Sequence, residues 1–207
     1  MSEAHEEAAR RHFDRWSRTY ERDRRSRWMG EIQRRALDAL ALTPTDALLD
    51  VGCGTGAAVR RASPEVARAV GIDLSSGMIE EAGRLAAGLT NVSFDIASAA
   101  HLPFDDGAFS ALLCTSSFHH YPDPDAVVGE MARVLAPGGR IAIADPNRDR
   151  WEVRVADRVL RRFEKSHVRI HAAGELGALL SRHGFTDLGV RRTLRGTFLV
   201  VRGRRAA

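Results

Sequence analysis

The stretch Leu48-Leu49-Asp50-Val51-Gly52-Cys53-Gly54-Thr55-Gly56 carries more structural information than any other part of the chain. An apolar run closes on an acid, and glycines then follow at alternate positions. That order describes a buried strand feeding a turn whose backbone comes very close to another group. Glycine suits such a turn because it adopts positive φ and has no Cβ to hold a ligand away. Alone, the stretch leaves the ligand open among nucleotide-like molecules. Gly52-x-Gly54-x-x-Ala57 also satisfies the dinucleotide fingerprint, and an acid follows at Asp73, near the usual spacing of about 20 residues.

On either side of this stretch the hydrophobic pattern switches between two periods. Strands are predicted near 47–51, 68–73, 91–96, 109–114 and 139–145, with helices over 55–62, 76–87 and 124–135. Alternating β and α units imply a parallel sheet with helices on both faces and right-handed crossovers. Two helices precede the first strand, over 3–20 and 29–41. The first sets Phe13, Trp16 and Tyr20 at helical spacing among charged residues, and Pro44 stops the second. Beyond 139–145 the rhythm changes. Helices are predicted over 148–165 and 173–183, and the apolar segments 185–192 and 196–202 read as a hairpin. The Arg-rich segment 202–205 is expected to fray.

Further motifs follow the glycine loop: Gly71-Ile72-Asp73-Leu74-Ser75, Leu102-Pro103-Phe104, His119-His120-Tyr121-Pro122-Asp123-Pro124 and Arg133-Val134-Leu135-Ala136-Pro137-Gly138-Gly139. In that order and spacing the chain resembles the class I S-adenosylmethionine-dependent methyltransferases. The likeness is greatest to their small-molecule branch, which includes the ubiquinone/menaquinone-biosynthesis type, and it runs from about residue 12 to the C-terminus. It implies an α/β fold: a Rossmann-like, doubly wound, seven-stranded and mostly parallel sheet with a C-terminal antiparallel hairpin. It also implies an N-terminal helical cap or lid over 1–42 and an S-adenosylmethionine-binding methyltransferase domain over 43–207. The implied cofactor is S-adenosyl-L-methionine, and the implied partner is a small-molecule methyl acceptor.

Ligands of open α/β sheets settle beyond the carboxyl ends of the strands, where these motifs sit. The resemblance places the backbone of Gly52, Cys53, Gly54 and Gly56 against the methionine and ribose of the cofactor, with Asp50 near its ammonium group. Capping of the loop's own amides is a compatible role for Asp50. Asp73 can accept both ribose hydroxyls in a bidentate arrangement, or cap the helix that starts at Ser75 or Ser76. Leu74 and Met78 fall on the adenine side, although Met78 also fits plain core packing. Ser98-Ala99 stands where family members commonly carry Asp or Asn followed by Ala. A hydroxyl accepts the adenine amino group without charge assistance, a difference of order 1 kcal/mol, and Asp95 is a nearby compensating candidate.

Thr115 and Ser116, with Ser117 and Phe118, follow the fourth strand, where the family places the transferable methyl group. In-line displacement at a sulfonium-activated carbon needs positioning above all, and positioning can supply about 7–11 kcal/mol. A base is needed only where the acceptor must lose a proton. His119 and His120 are the catalytic candidates, with pKa values near the working pH; bonding to the Tyr121–Asp125 turn is the structural alternative for one of them. Tyr20, with Trp16 and Phe13, belongs to the expected lid, where an aromatic favours a sulfonium through cation–π attraction. Packing of that helix on the sheet accounts for these residues equally well.

Bulk properties narrow the remaining classes. At 207 residues the simplest organisation is one domain with a substantial core, and 44% hydrophobic with 28% charged residues is ordinary for a globular protein. No apolar run reaches the roughly 18–20 residues that cross a bilayer, and MSEAHEEAARRHF contains no apolar signal core, so a cytoplasmic setting is expected. Of 31 basic residues only Lys165 is lysine, and 27 acids leave a net charge of +4. With no nucleic-acid-binding motif and only the arginines of 10–27 clustered, a nucleic-acid partner is not expected. Cys53 and Cys114 lack metal-ligand spacing, so no metal is expected.

Acceptor choice should lie in the N-terminal helices and in 146–171. The latter sets Trp151, Val155, Val159 and Phe163 at helical spacing, with Arg150, Arg154, Arg158, Arg161, Arg162 and Lys165 on the other faces. That pattern reads as a solvated lid whose apolar stripe packs on the sheet. It also allows contact with an anionic substrate or, at most, peripheral contact with an anionic membrane. An apolar aromatic or quinone-like acceptor is the leading expectation. Two rival readings stand beside methyl transfer. A nicotinamide-dependent enzyme would need a substrate domain, for which about 60 residues after 139–145 are too few. A non-catalytic S-adenosylmethionine-binding protein is favoured by Ser98 and by the lack of an unmistakable base.

Overall fold

The computed structural model describes residues 3–17, 20, 24–164 and 166–207. Strand β1 (Ala47–Val51) is buried from Leu48 onward because it runs through the middle of the sheet, parallel to β2 (Arg68–Asp73) on one side and β4 (Phe109–Thr115) on the other. Adding β3 (Val92–Ile96), β5 (Leu135–Pro146), β6 (Phe185–Thr193) and β7 (Phe198–Arg205) gives a seven-stranded sheet in the order β3-β2-β1-β4-β5-β7-β6. β7 lies antiparallel between β5 and β6, as expected for the closing hairpin. The order reverses at β1, which opens a crevice at the carboxyl ends of β1 and β4.

Successive residues of each strand face opposite layers, and the sequence meets that demand with apolar residues on both sides. On one face, Leu48, Ala69, Leu113 and Ala142 pack beneath α2 (Arg24–Leu40) and α3 (Ala57–Ala62) through Ile32, Leu37, Leu40 and Val59. α4 (Ser76–Leu85) packs against β2 and β3. On the other face, Leu49, Leu112, Ile141 and Val201 meet α5 (Pro124–Val134) and α7 (Ala173–Arg182) through Val128, Met131, Leu176 and Leu180. Each such fully buried Leu, Ile or Met contributes about 1.5–3 kcal/mol.

Polar pins fix the ends of these elements. The Arg140 guanidinium pairs with buried Asp46 and also donates to the carbonyls of Leu40 and Ala41, tying β5 to the α2–β1 connection. Burial opposes the charge on Asp46, but bonds from Ser110, Arg140 and Thr43 outweigh it and hold the carboxyl at about 2. α1 (Glu3–Trp16) is shorter than the predicted 3–20 and rests on α4, where Asp14 Oδ1 accepts from Ser75 Oγ and from the Gly77 amide.

Two expectations fail. The arginines of 202–205 do not fray: Arg202 and Arg204 pair with Ala142 and Arg140, and the Arg205 guanidinium donates to the carbonyl of Leu135. Their backbone bonds complete β5, a demand that side-chain hydropathy does not report. The apolar stripe of α6 (Trp151–Phe163) does not pack on the sheet; Trp151, Val155, Val159 and Phe163 are all exposed. The helix is held instead by buried Asp157, which accepts from His167 Nε2 and the Ile170 amide, both at 2.9 Å. Lys165 lies outside the described residues, among which no helix is long and apolar enough to cross a membrane.

Candidate active site

The loop after β1 is shaped by backbone bonds and by three left-handed glycines. The amides of Gly52 and Cys53 both donate to the Ile72 carbonyl at 2.9 Å, which folds the chain back over β2. Gly52, Gly54 and Gly56 have φ of +75°, +53° and +75°. A Cβ on Gly52 would stand 2.5 Å from Ser117 Oγ and 2.8 Å from Tyr121 Oη, and one on Gly56 would stand 2.5 Å from the Phe94 ring. At Gly54 a Cβ would meet no protein atom within 4 Å. Packing therefore requires the outer two glycines, whereas the middle one faces open space.

Two acids back this loop in different ways. Asp73 Oδ2 accepts from the Gly54 amide and Oδ1 from the Ser75 amide, both at 2.9 Å, so it braces the loop and the start of α4 together. Ser75 is the N-cap proper, its Oγ accepting from the Met78 amide. Burial pushes the Asp73 carboxyl above its ordinary range, against the amides of Ser75 and Gly54. Asp50 is 1% exposed, and its Oδ1 has no hydrogen-bond partner among the described residues. Burial, and then the neighbouring charge of Asp73, push the Asp50 carboxyl up to about 8.

A cleft open to solvent lies over the loop. Its wall brings together Tyr20, Gly52, Cys53, Gly54, Asp73, Leu74, Met78, Ser98, Ala99, Thr115, Ser116 and His120, all candidates from the sequence. Asp50, Gly56 and His119 are not in that wall: Asp50 lies behind the loop, Gly56 packs on Phe94, and His119 turns away. Asp95 is exposed and is not among the residues that line the cleft. Ser98 Oγ accepts from the Ala100 amide at 3.3 Å. Ser116 holds a left-handed φ of +54°, a strained conformation for a residue with a side chain, and its amide donates to Ala144 O. The Tyr20 hydroxyl lies 3.5 Å from Met29 Sδ, and its ring meets Trp16 edge-on at 4.8 Å.

The two histidines differ in placement. His119 Nδ1 pairs with Asp145 Oδ1 at 2.9 Å; burial lowers the imidazole to about 3 and raises the Asp145 carboxyl well above its ordinary range, so burial disfavours charge on both partners. His120 Nδ1 lies 2.6 Å from the Ser166 carbonyl, which can only accept, so the proton sits on Nδ1 and the lone pair on Nε2. Burial, and then His119, push His120 well below the ordinary imidazole range. The expectation of pKa values near neutrality is therefore corrected for both: the sequence places the rings but not their loss of solvent.

Of the site's other neighbours, the sequence singles out Ser117 and Phe13 for the site, but not Ala9, Arg10 or Gln33. Ser117 donates to the Val51 carbonyl and accepts from Tyr121 Oη, each at 3.2 Å, forming the platform beneath Gly52. Ala9, Arg10 and Phe13 of α1 line the cleft with Gln33 of α2. No local pattern announces these contacts. Asp145 did leave a signal, because it closes the buried strand Ile141-Ala142-Ile143-Ala144 as Asp50 and Asp73 close theirs.

Comparison with known proteins agrees with this arrangement. Residues 49–143 match a methyltransferase domain family. A 27-O-demethylrifamycin SV methyltransferase of Amycolatopsis mediterranei is 37% identical over 131 residues, 59% of this chain and 48% of that protein. A demethylmenaquinone methyltransferase of Clavibacter sepedonicus is 35% identical over 136 residues, 64% of this chain and 56% of that one. The chain spans about half the length of the curated relatives it matches. The crystal structure of the YcgJ protein from Bacillus subtilis superposes with a TM-score of 0.74 at 21% identity, covering 86% of this chain and 99% of the other. Residues 49–143 are thus similar to a methyltransferase domain, carried on a fold shared with the YcgJ structure.

Proposed function

We propose that the protein is an S-adenosylmethionine-dependent methyltransferase acting on a small, apolar aromatic or quinone-like acceptor. The observation that carries this reading is the pairing of Gly54, which faces open cleft, with Asp50, whose buried oxygen lacks a partner behind the same loop. A ligand with a cationic head and a nucleoside body meets both needs. Asp50 would lie toward the ammonium group, and an ordered water is a suitable intermediary for its orphaned oxygen. Asp73 would keep its amide bonds and direct its remaining lone pairs to the ribose hydroxyls. Leu74, Met78 and Ala99 supply apolar surface for the adenine, and Ser98 supplies a hydroxyl. The curated relatives named above support the acceptor class.

When bound, S-adenosylmethionine supplies a methyl group on a sulfonium, ready for in-line displacement. The chain's part is to hold the acceptor between the β4 end, at Thr115 and Ser116, and the cap of α1 and Tyr20. Residues 1–42 would act as that cap, with α2 anchoring it to the sheet. His120 is the residue suited to proton transfer. Its low basicity favours taking the proton late, after methyl transfer has made an O–H or N–H acceptor strongly acidic. His119, fixed by Asp145, positions the Phe118–His120 turn.

Incubation with methyl-labelled S-adenosylmethionine and a panel of phenols and reduced quinones tests the reading, alongside calorimetry with S-adenosylhomocysteine and NAD(H). Labelled product with S-adenosylhomocysteine binding is the expected result. Binding of NAD(H) alone overturns it. Tight S-adenosylhomocysteine binding without transfer to any acceptor selects the non-catalytic reading, which the weak basicity of both histidines favours.

A further inference from the structure

α6 presents a face that methyl transfer does not use. Its inward side carries half-buried Val153 and Leu160 with buried Asp157. On the outward side, Trp151, Val155, Val159 and Phe163 follow one another at intervals of four and form a continuous stripe, Trp151 being 64% and Phe163 81% exposed. Arg154, Arg158, Arg161 and Arg162 are also exposed and make no ion pair with a described residue. Several exposed helix arginines elsewhere are neutralised, Arg34 by Glu31 and Asp38, Arg84 by Glu81 and Arg182 by Asp125, whereas Arg15 and Arg61 stand singly on helices without an exposed apolar stripe. Uncompensated positive charge and exposed apolar area therefore coincide on this one helix.

We propose that α6 is an interfacial helix that seats the protein on an anionic lipid surface. The stripe would enter the boundary between headgroups and acyl chains, with the arginines on lipid phosphates. Charge complementarity selects this occupant. A second copy paired through the stripe about a two-fold axis would bring two rows of unneutralised arginines together. A nucleic acid would satisfy the arginines but leave Val155, Val159 and Phe163 without apolar contact.

The helix also ends at the cleft. Beyond Phe163, the Ser166 carbonyl holds His120, and Glu164 Oε1 lies 3.9 Å from His12 Nε2 on α1, next to the cleft residue Phe13. Seating α6 brings the cleft rim to the bilayer, which suits an acceptor dissolved in lipid. That last consequence rests on the methyl-transfer reading; the docking itself does not.

The test is flotation with vesicles of equimolar phosphatidylcholine and phosphatidylglycerol, against vesicles of phosphatidylcholine alone. The protein should float with the anionic vesicles only. At about 1 kcal/mol for each basic residue near the surface, or about fivefold, Arg154→Glu/Arg158→Glu should weaken partitioning by at least about 25-fold. Trp151→Ala/Phe163→Ala should abolish it. These side chains are exposed, so the melting temperature and S-adenosylhomocysteine affinity of both variants should stay at parental values. No flotation with anionic vesicles, or flotation unchanged by both variants, overturns the proposal. So does a dimer in sedimentation equilibrium that the stripe variant dissolves, without vesicle binding by the parent. Vesicle binding without S-adenosylhomocysteine binding leaves the docking intact and sinks the methyl-transfer reading alone.

Discussion

In a Gly54→Ala variant, a methyl group enters the cleft at a point where no protein atom stands within 4 Å. The cost to the fold is then the backbone term alone, since φ is +53° and a left-handed residue with a Cβ costs about 1–2 kcal/mol. For a domain of this size, 1 kcal/mol moves the melting temperature by about 2–4 °C, so a fall of roughly 2–8 °C is expected. Gly56→Ala carries the same backbone cost plus overlap with the Phe94 ring at 2.5 Å and contact with Ala82 Cβ at 3.2 Å. Displacing that ring adds about 1–3 kcal/mol. The order reverses for the ligand. If the space at Gly54 belongs to the cofactor, the new methyl overpacks it by about 1–3 kcal/mol, which is about 5–150-fold in affinity. Scanning calorimetry and titration with S-adenosylhomocysteine on both variants read the two effects separately. A folded Gly54→Ala protein that binds the nucleoside within about twofold of the parent refutes the placement, because a methyl that meets no protein atom would then meet no ligand atom either.

Three other perturbations test separate parts of the structure. Asp50 is raised to about 8, so the native state keeps a proton that the unfolded chain releases near its ordinary carboxylate value. The ligand-free protein should therefore lose stability as pH rises from about 4 to about 8, by up to about 1.4 kcal/mol per pH unit, and Asp50→Asn should remove that slope in denaturant titrations. Asp46 has the opposite sign: at about 2 it contributes stability above its unfolded value that is lost as pH falls from about 4 to about 2. Arg140→Met should cost about 2 kcal/mol near neutrality and move the acid-unfolding midpoint upward, measured by circular dichroism. His120→Gln should slow single-turnover methylation of a hydroxyl acceptor by about a hundredfold with S-adenosylhomocysteine affinity unchanged; equal rates would remove His120 from the chemistry.

What the sequence made legible was whatever depends on local period and punctuation. Alternating apolar strands, the acids Asp50 and Asp73 that close two of them, and the glycine loop fixed the sheet and most of the cleft wall. Direction was less accessible. The spacing of Trp151, Val155, Val159 and Phe163 marks an amphipathic helix, but no pattern says which side meets the protein. Here the anchor is an acid, Asp157, paired with His167 ten residues later. Contacts between distant segments were also hidden, such as Asp14 on Ser75 and Gly77, or Arg140 on Asp46. The lowered basicity of His119 and His120 depends on burial beside residues 166–169, which composition does not reveal.

The placement of β7 between β5 and β6 has a consequence for synthesis of the chain. Before residues 198–205 emerge, the 140–146 segment of β5 is a bare edge, with Ile141 and Ile143 on one face and Ala142 and Ala144 on the other. At about 5–20 residues per second, the passage from Pro146 to Phe198 exposes that edge for roughly 3–10 s. β6 is made in the interval, and among the described residues β7 is its one neighbour in the finished sheet. A premature ribbon of β6 on β5 would shut the apolar strand β7 out and leave the sheet in the wrong order. Correct assembly therefore waits on the turn Leu194–Gly196, which must bring β7 back into the gap before the exposed edge finds another chain.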